Sequence, residues 1–356
     1  MKRLFAFLIA ISLLLSGCVV EIPVPVETTA TATVTEGESF IIHYIDVGQA
    51  DCILLENEGQ YMLIDGGNRG DSNRIYTVLK NAGVDELALL VGTHAHEDHI
   101  GGLSGAFAYA NARRTLCPVT DYDSGVFASF ARYAAQKGGG ITVPKVGDTY
   151  ALGSARVSIL AVNAGQDTNN SSIVLKVQYG QTSFLFTGDA EREVEQVLLA
   201  SGQDLSATVL KVGHHGSDTS TSYPFLREIM PAYAVISVGE GNEYGHPTDV
   251  VLSRLQDADV SVYRTDLHGD VRVTSDGTQV HFATDKSVPA AGSGTSGGQT
   301  VTPIGENYVL NTGTKKFHYP TCSGVSKIKE GNRQSYTGSR ADLLGQGYSP
   351  CGNCEP

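Results

Sequence analysis

The chain predicts an α/β domain followed by a small module rich in cysteine, and three observations predict it. Between residues 38 and 286, short apolar runs alternate with amphipathic stretches of helical period, the pattern of helices layered on sheets. A stretch dense in Gly, Ser, Thr and Pro, residues 287–306, then breaks the pattern as a linker. Beyond it, a tail of residues 307–356 holds half of the six cysteines. At 356 residues and 41% hydrophobic composition, the chain can bury one large core with a small neighbour beside it. No internal repeat of 20–50 residues runs through it.

The amino terminus belongs to neither part. Lys2 and Arg3 precede a twelve-residue apolar run, 4–15, and then "LSGC". The run is shorter than the ~20 residues a membrane-spanning helix needs, so residues 1–17 read as a signal peptide. The "LSGC" box resembles that of bacterial lipoproteins, which implies cleavage before Cys18, lipid on its sulfur, and a place on the outer face of the cell membrane. Residues 18–37, with "EIPVPVETTATATVTEG", have no apolar period and read as a tether.

Within the large domain, "NRIYTVLKNAG", "VFASFARYAAQ" and "DVVLSRLQDA" are helical in period, and the run 87–91 reads as a buried strand. That strand leads into "GTHAHEDHIGG". A helical metal site spaces its histidines i, i+4; here His94, His96, Asp98 and His99 follow an extended pattern instead, with Gly101 and Gly102 expected to turn the chain tightly. His94 and His96 suit one cation and Asp98 with His99 a second, roughly 3.5–4 Å away as in two-metal hydrolytic sites. Further donors stand just beyond other apolar runs: Asp189 after "FLFTG", His214 and His215 after "TVLKVG", and His246 after "AVISVGEGNEYG". Taken alone, Asp189 is also a helix cap for "AEREVEQVLL". His43, His268 and His281 lack such context and read as structural or surface residues, while Cys52 and Cys117, in apolar stretches, read as buried thiols rather than nucleophiles.

His94, His96, Asp98, His99 and Asp189, preceded by "LIDGG" with Asp65, resemble the metallo-β-lactamase superfamily. That resemblance implies a four-layer αβ/βα sandwich with a dinuclear site at its edge. Over residues 38–283, "IIHYIDVGQADCILL", "NNSSIVLKV", "FLFTGDAE", "LKVGHHGS" and "YGHP" are similar to the soluble domain of ComEC-type DNA-uptake proteins and its free-standing secreted relatives. The similarity implies metal-dependent hydrolysis, with phosphodiesters the leading substrate class, by a water that two zinc or manganese ions ionise. Many superfamily members complete the first metal site with a third histidine, but residues 100–213 contain none. The matching place holds Asn170, whose amide oxygen, or a water on it, is expected to substitute and to shift preference toward manganese; the other reading of Asn170 is a turn cap. His214 is assigned to the metal of Asp98 and His99. His215 and His246 then face the substrate as hydrogen-bond or proton donors beside Asp98, with exchange of the roles of His214 and His215 left open. Ser217 is expected as a substrate contact or auxiliary ligand, and Asp65 as the group that orients a ligand.

In the tail, His318, Cys322, Cys351 and Cys354 have zinc-site spacing. The tail resembles the zinc-binding module of the Ada DNA-repair protein, with His318 in place of the first cysteine, which implies one structural zinc and contact with DNA backbone; a zinc knuckle for cell wall or protein is the alternative. Six basic residues against three acidic ones make the tail positive in a chain of net charge −13. Lys327, Lys329, Arg333 and Arg340 are therefore its candidate phosphate contacts, since the acidic body repels polyanions except at its metals. The expectation from sequence is a secreted, lipid-anchored, two-metal nuclease acting on extracellular DNA. The alternatives are a phosphodiesterase on phosphocholine or teichoic acid groups of the wall, and a non-catalytic DNA receptor that serves uptake machinery.

Overall fold

A computed structural model describes residues 39–287, 306–320, 322–338, 343, 346–352 and 354. Cys18, the tether, most of the linker and Arg340 lie outside the described residues.

Two sheets carry the large domain. The eight-stranded sheet runs Val280–Thr284, Val271–Ser275, Phe40–Tyr44, Ile53–Asn57, Gln60–Ile64, Leu89–Val91, Thr115–Leu116, Ile141–Thr142; its first five strands are antiparallel neighbours and its last three add in parallel. In the seven-stranded sheet, Ser261–Arg264, Tyr233–Ile236, Val209–Lys211 and Thr182–Phe186 are parallel, and Val174–Tyr179, Ala155–Ala161 and Thr149–Leu152 continue antiparallel.

The period of two in these strands decides what lies between the sheets. Phe40, Ile42 and Tyr44 alternate inward and meet Leu175, Val177, Phe184 and Phe186 of the other sheet in one apolar layer. Phe40 meets Phe184 with ring centroids 5.2 Å apart, and Tyr44 meets Phe186 at 6.3 Å. Each such side chain contributes ~1.5–3 kcal/mol on burial. On the outer faces, helices Ser72–Asn81, Leu103–Tyr109 and Gly125–Lys137 bury their apolar stripes against the first sheet, and Arg192–Ala200, Tyr223–Ile229 and Asp249–Asp257 theirs against the second. Three apolar layers separate four structural ones, the αβ/βα sandwich. Ser124 and Thr248 begin two of these helices by accepting hydrogen bonds from the backbone N–H of Phe127 and Val251.

One local reading needs correction and another holds. The run 87–91 is two strands: Glu86–Leu87 pairs with Asn111–Ala112, and Leu89–Val91 joins the main sheet, because Ala88 donates its amide to the Tyr61 carbonyl between them. Gly101 and Gly102 do turn the chain tightly, with the dihedrals of a type I turn, φ −60° and ψ −45°, then φ −86° and ψ −4°. They are needed for close approach: a Cβ at Gly102 would stand 2.0 Å from the Gly66 carbonyl oxygen, and one at Gly101 2.4 Å from the Arg69 nitrogen.

The parallel strands Leu89–Val91, Thr182–Phe186, Val209–Lys211 and Tyr233–Ile236 each run on, past their C-terminal ends, into a segment with candidate ligands, the usual place for a site in α/β sheets. The tail forms its own four-stranded sheet, Arg333–Gly338, Glu306–Asn311, Lys316–His318, Ser349–Pro350, over Tyr308, Leu310, Phe317, Leu343 and Tyr348. Among the described residues no helix is long and apolar enough to cross a membrane.

Candidate metal centre

The carboxylate of Asp189, only 2% exposed, sits where the two halves meet. It follows Gly188, whose φ of +52° and closeness to Thr93 leave no room for a side chain. Glu191, not Asp189, caps the helix Arg192–Ala200, which leaves the Asp189 side chain free for the site.

Its two oxygens face different partners. Oδ1 lies 3.3 Å from His99 Nε2 and 3.7 Å from His215 Nε2, and Asp98 Oδ2 is 3.6 and 3.3 Å from the same two nitrogens. Asp98 and His99 lie in one helical turn, Glu97–Ile100, started by His96. Oδ2 lies 3.9 Å from His94 Nε2 and 3.7 Å from His214 Nε2, with His96 Nδ1 3.0 Å from His94 Nε2. Asp189 is thus shared between two donor sets: Asp98, His99 and His215 on one side, His94, His96 and His214 on the other.

The surroundings fix which nitrogen of each ring is available. His99 Nδ1 stands 2.9 Å from the wholly buried Asp65, which also accepts from the amide and hydroxyl of Thr93. His215 Nδ1 donates to the Ser237 carbonyl at 2.9 Å, and His214 Nδ1 donates at 3.2 Å to the Thr219 hydroxyl, which donates in turn to Glu191 at 3.0 Å. Each leaves its Nε2 lone pair toward Asp189, as metal-bound histidines require. His99 Nε2, His215 Nε2 and Asp189 Oδ1 are buried without a hydrogen-bond partner, three orphaned polar atoms aimed at one point. That arrangement, with its donor chemistry, fits a divalent cation.

Electrostatics agree. Burial, with His99 alongside, holds His94 well below the ordinary imidazole range, so it is neutral. Burial alone would raise Asp98 and Asp189, but His99 and His215 outweigh it and hold both below the usual carboxylate range. Burial lowers His99, yet Asp189, Asp98 and Asp65 pull it up overall, an attraction for positive charge that a cation answers as well as a proton.

Several expected roles change. His215, rather than His214, stands with Asp98 and His99, and His214 supplies the nitrogen that the first set lacked in sequence. Consecutive left-handed residues, φ 48° at His214 and 51° at His215, splay the two rings to opposite sides of Asp189. Asn170 is not placed to donate: its Oδ1 accepts from the Glu191 amide and its Nδ2 donates to Asp167, so it braces the loop after Asp189. Its neighbour Asn169 lines the cleft with a buried, unpartnered Oδ1. Ser217 stands behind the site, 3.0 Å from the Thr219 hydroxyl, which is 3.2 Å from His214 Nδ1.

His246 lines the same cleft, of about 620 Å³. Gln49 accepts the Gly239 amide through Oε1 and so turns its Nε2 to His246 Nδ1 at 3.4 Å. Burial, with His214 nearby, lowers His246, and a neutral ring accepting at Nδ1 carries its proton on Nε2.

Sequence reasoning missed Asp51, Lys211 and Ser172. Asp51 Oδ2 pairs with Lys211 Nζ at 2.7 Å, both about 1% exposed, while its Oδ1 lies 3.5 Å from His215 Nδ1. Ser172 accepts from the Asp189 amide at 3.2 Å. One signal was readable: a lysine inside the apolar run "TVLKV" needs a buried partner. Cys52 and Cys117 are buried, and burial pushes the Cys117 thiol up to about 12, which suits a core residue rather than a nucleophile.

In the tail, ligand atoms of His318, Cys322, Cys351 and Cys354 lie within 4.8 Å of one another, and His318 Nδ1 is buried without a partner. Lys327 and Lys329 are exposed. Arg333 spends its guanidinium on the carbonyls of Val325 and Ile328, so its first role is to hold the turn.

Residues 45–240 match the family model described as the metallo-beta-lactamase superfamily. Among curated proteins, ComE operon protein 3 of Bacillus subtilis is 31% identical over 258 residues, covering 67% of this chain and 33% of that protein. Competence protein ComA of Neisseria gonorrhoeae is 33% identical over 238 residues, covering 66% and 32%. The chain therefore spans about a third of the length of these relatives. Among solved structures, CmlA, a diiron β-hydroxylase from Streptomyces venezuelae, aligns with a TM-score of 0.45 at 17% identity over 66% of this chain and 54% of that one.

Proposed function

From a chain that belongs to the metallo-β-lactamase superfamily and is, by that fold and its donor set, a metal-dependent hydrolase, we propose hydrolysis of phosphodiester bonds in nucleic acid outside the cell. One observation carries the reading: a single buried carboxylate, Asp189, shared between two sets of imidazole and carboxylate donors. Held there, two divalent cations would act as Lewis acids and supply hydroxide near neutral pH. The chain's own residues do the rest. Asp65, the Thr219 hydroxyl that Glu191 orients, and the Ser237 carbonyl keep three histidines in the ligating tautomer, and Asp98 and Asp189 stay ionised. His246, neutral with its proton on Nε2, donates a hydrogen bond to an oxygen of the substrate and so stabilises the charge that develops there as the leaving group departs.

The first set offers three nitrogens and a carboxylate, a zinc-like environment, whereas the second offers two nitrogens and two carboxylates and should accept manganese more readily. The competence-protein names of the relatives support a nucleic-acid substrate. Among the described residues no Lys or Arg lines the cleft, while Glu97 does, and this favours as a second reading a single phosphodiester at a time, such as a phosphocholine group carried by teichoic acid of the wall. The "LSGC" box supports anchorage through lipid on Cys18, with the catalytic domain on the outer face of the membrane and within reach of uptake machinery.

The test uses mature protein stripped of metal and reloaded with Zn²⁺ or Mn²⁺, against circular DNA, linear DNA, RNA and bis-p-nitrophenyl phosphate. Stripping should stop turnover of every substrate and either cation should restore it. Cleavage of the small ester and of choline phosphodiesters, with all nucleic acids left intact, would move the assignment to the second reading.

We assign the tail one structural zinc on His318, Cys322, Cys351 and Cys354, a crosslink that a module this small needs, and backbone contact with nucleic acid through Lys327 and Lys329, with Arg340 as a further candidate. Removal of residues 287–356 should weaken DNA binding and flatten its salt dependence, by about one unit of log–log slope for each phosphate the protein no longer neutralises. Equal affinity and slope with and without the tail would point to a wall- or protein-binding knuckle.

A further inference from the structure

At the mouth of the cleft, a row of rings runs outward from the metal ligands. His214, whose Nε2 faces Asp189, has its ring 5.8 Å from that of His246. Tyr244 then stacks on His246 at 5.7 Å with planes 28° apart, and is itself 73% exposed. The loop under Tyr244 is fixed by one side chain: Asn242 donates to the carbonyls of Gly239 and His246 and accepts from the amides of Tyr244 and His246. An exposed ring held this way loses little freedom when something stacks on it.

The same cleft has no lysine or arginine among the described residues of its lining, so beyond the scissile group those residues give it no side-chain cation with which to hold further phosphates. What it offers there is an aromatic face. Resting on the nucleic-acid reading above, we propose that Tyr244 is the stacking platform for the base beside the scissile phosphate, and that the site therefore takes unpaired strands. Base–aromatic stacking tolerates any base, because every base has a π face. A base inside a duplex has both faces covered and must be unstacked, at a cost of a few kcal/mol, before Tyr244 can meet it.

The experiment uses the full chain with its cations and single-stranded oligodeoxynucleotides in which an abasic site is scanned past the cut. The wild type should lose about tenfold in kcat/KM, chiefly through KM, when the base beside the cut is missing. Tyr244→Ala should show that loss already on the intact strand and gain no further penalty from the abasic site, while Tyr244→Phe should restore discrimination. Duplex of the same sequence should be cut more slowly than the single strand. Wild-type discrimination retained in Tyr244→Ala, with nucleic acid still cleaved, overturns the role of Tyr244 alone. Absence of any nucleic-acid cleavage by the wild type, with bis-p-nitrophenyl phosphate still hydrolysed, overturns this inference together with the reading beneath it.

Discussion

Asp189→Ala should abolish hydrolysis, lowering kcat by about a thousandfold or more, the equivalent of the several kcal/mol a Lewis-acid site supplies. The reason is geometric. Oδ1 faces His99 and His215 while Oδ2 faces His94 and His214, so one substitution removes a donor from both sets. The fold should persist, because the Asp189 backbone amide keeps its hydrogen bond to Ser172 and Asn170 still holds the Glu191 amide. Asp189→Asn should be nearly as inactive, since it keeps the shape and loses the charge. Kinetics at saturating cation, with circular dichroism to verify folding, decide the matter. Turnover in either variant close to wild type, or wild-type turnover that survives exhaustive chelation, would remove the shared carboxylate from the mechanism.

Asp51→Ala should be among the most destabilising single substitutions in the large domain, costing about 3–5 kcal/mol, because it strands the Lys211 ammonium in the interior. Lys211 is 1% exposed, and apart from Asp51 its Nζ donates to the Val212 carbonyl at 2.9 Å. Asp51→Ala with Lys211→Met should recover much of the loss, since no charge is then left buried without its partner. Denaturant unfolding of the two single variants and the double one closes a mutant cycle that isolates the pair. A cost under about 1 kcal/mol for Asp51→Ala would mean that water reaches Lys211.

The layers were legible because they follow from periodicity. Helices appear at Ser72–Asn81, Gly125–Lys137 and Asp249–Asp257, where apolar residues recur at helical spacing, and strand ends carry the histidines. The donors were legible as residue types, because imidazoles and carboxylates gathered behind apolar runs have few other uses. Their pairing was not. Which of two adjacent histidines joins which set depends on backbone angles at His214 and His215 that L-residues seldom adopt, and no spacing rule predicts two such residues in succession. The third nitrogen was hidden for the same reason: the interval 100–213 holds no histidine, and the nitrogen that faces the first set stands at 214. Asn170 misled because a buried amide beside a ligand loop looks the same in sequence whether it donates to a metal or braces the backbone. Asp51 stayed hidden because its partner Lys211 is 160 positions away and only the facing sheets bring them together.

Each donor set draws on both halves of the sandwich: His94, His96, Asp98 and His99 follow a strand of the first sheet, while Asp189, His214 and His215 follow strands of the second. A cation in either set is therefore also a rivet through two layers that otherwise adhere through apolar contact and a few polar links such as Asp51 with Lys211. Its binding energy adds to the stability of the folded chain, by about 2.7 kcal/mol for a site with free cation at a hundred times its dissociation constant. The melting point of such a protein becomes a gauge of the cation supply around it. When that supply fails, the seam between the sheets loses this added stability at the very place where the substrate enters.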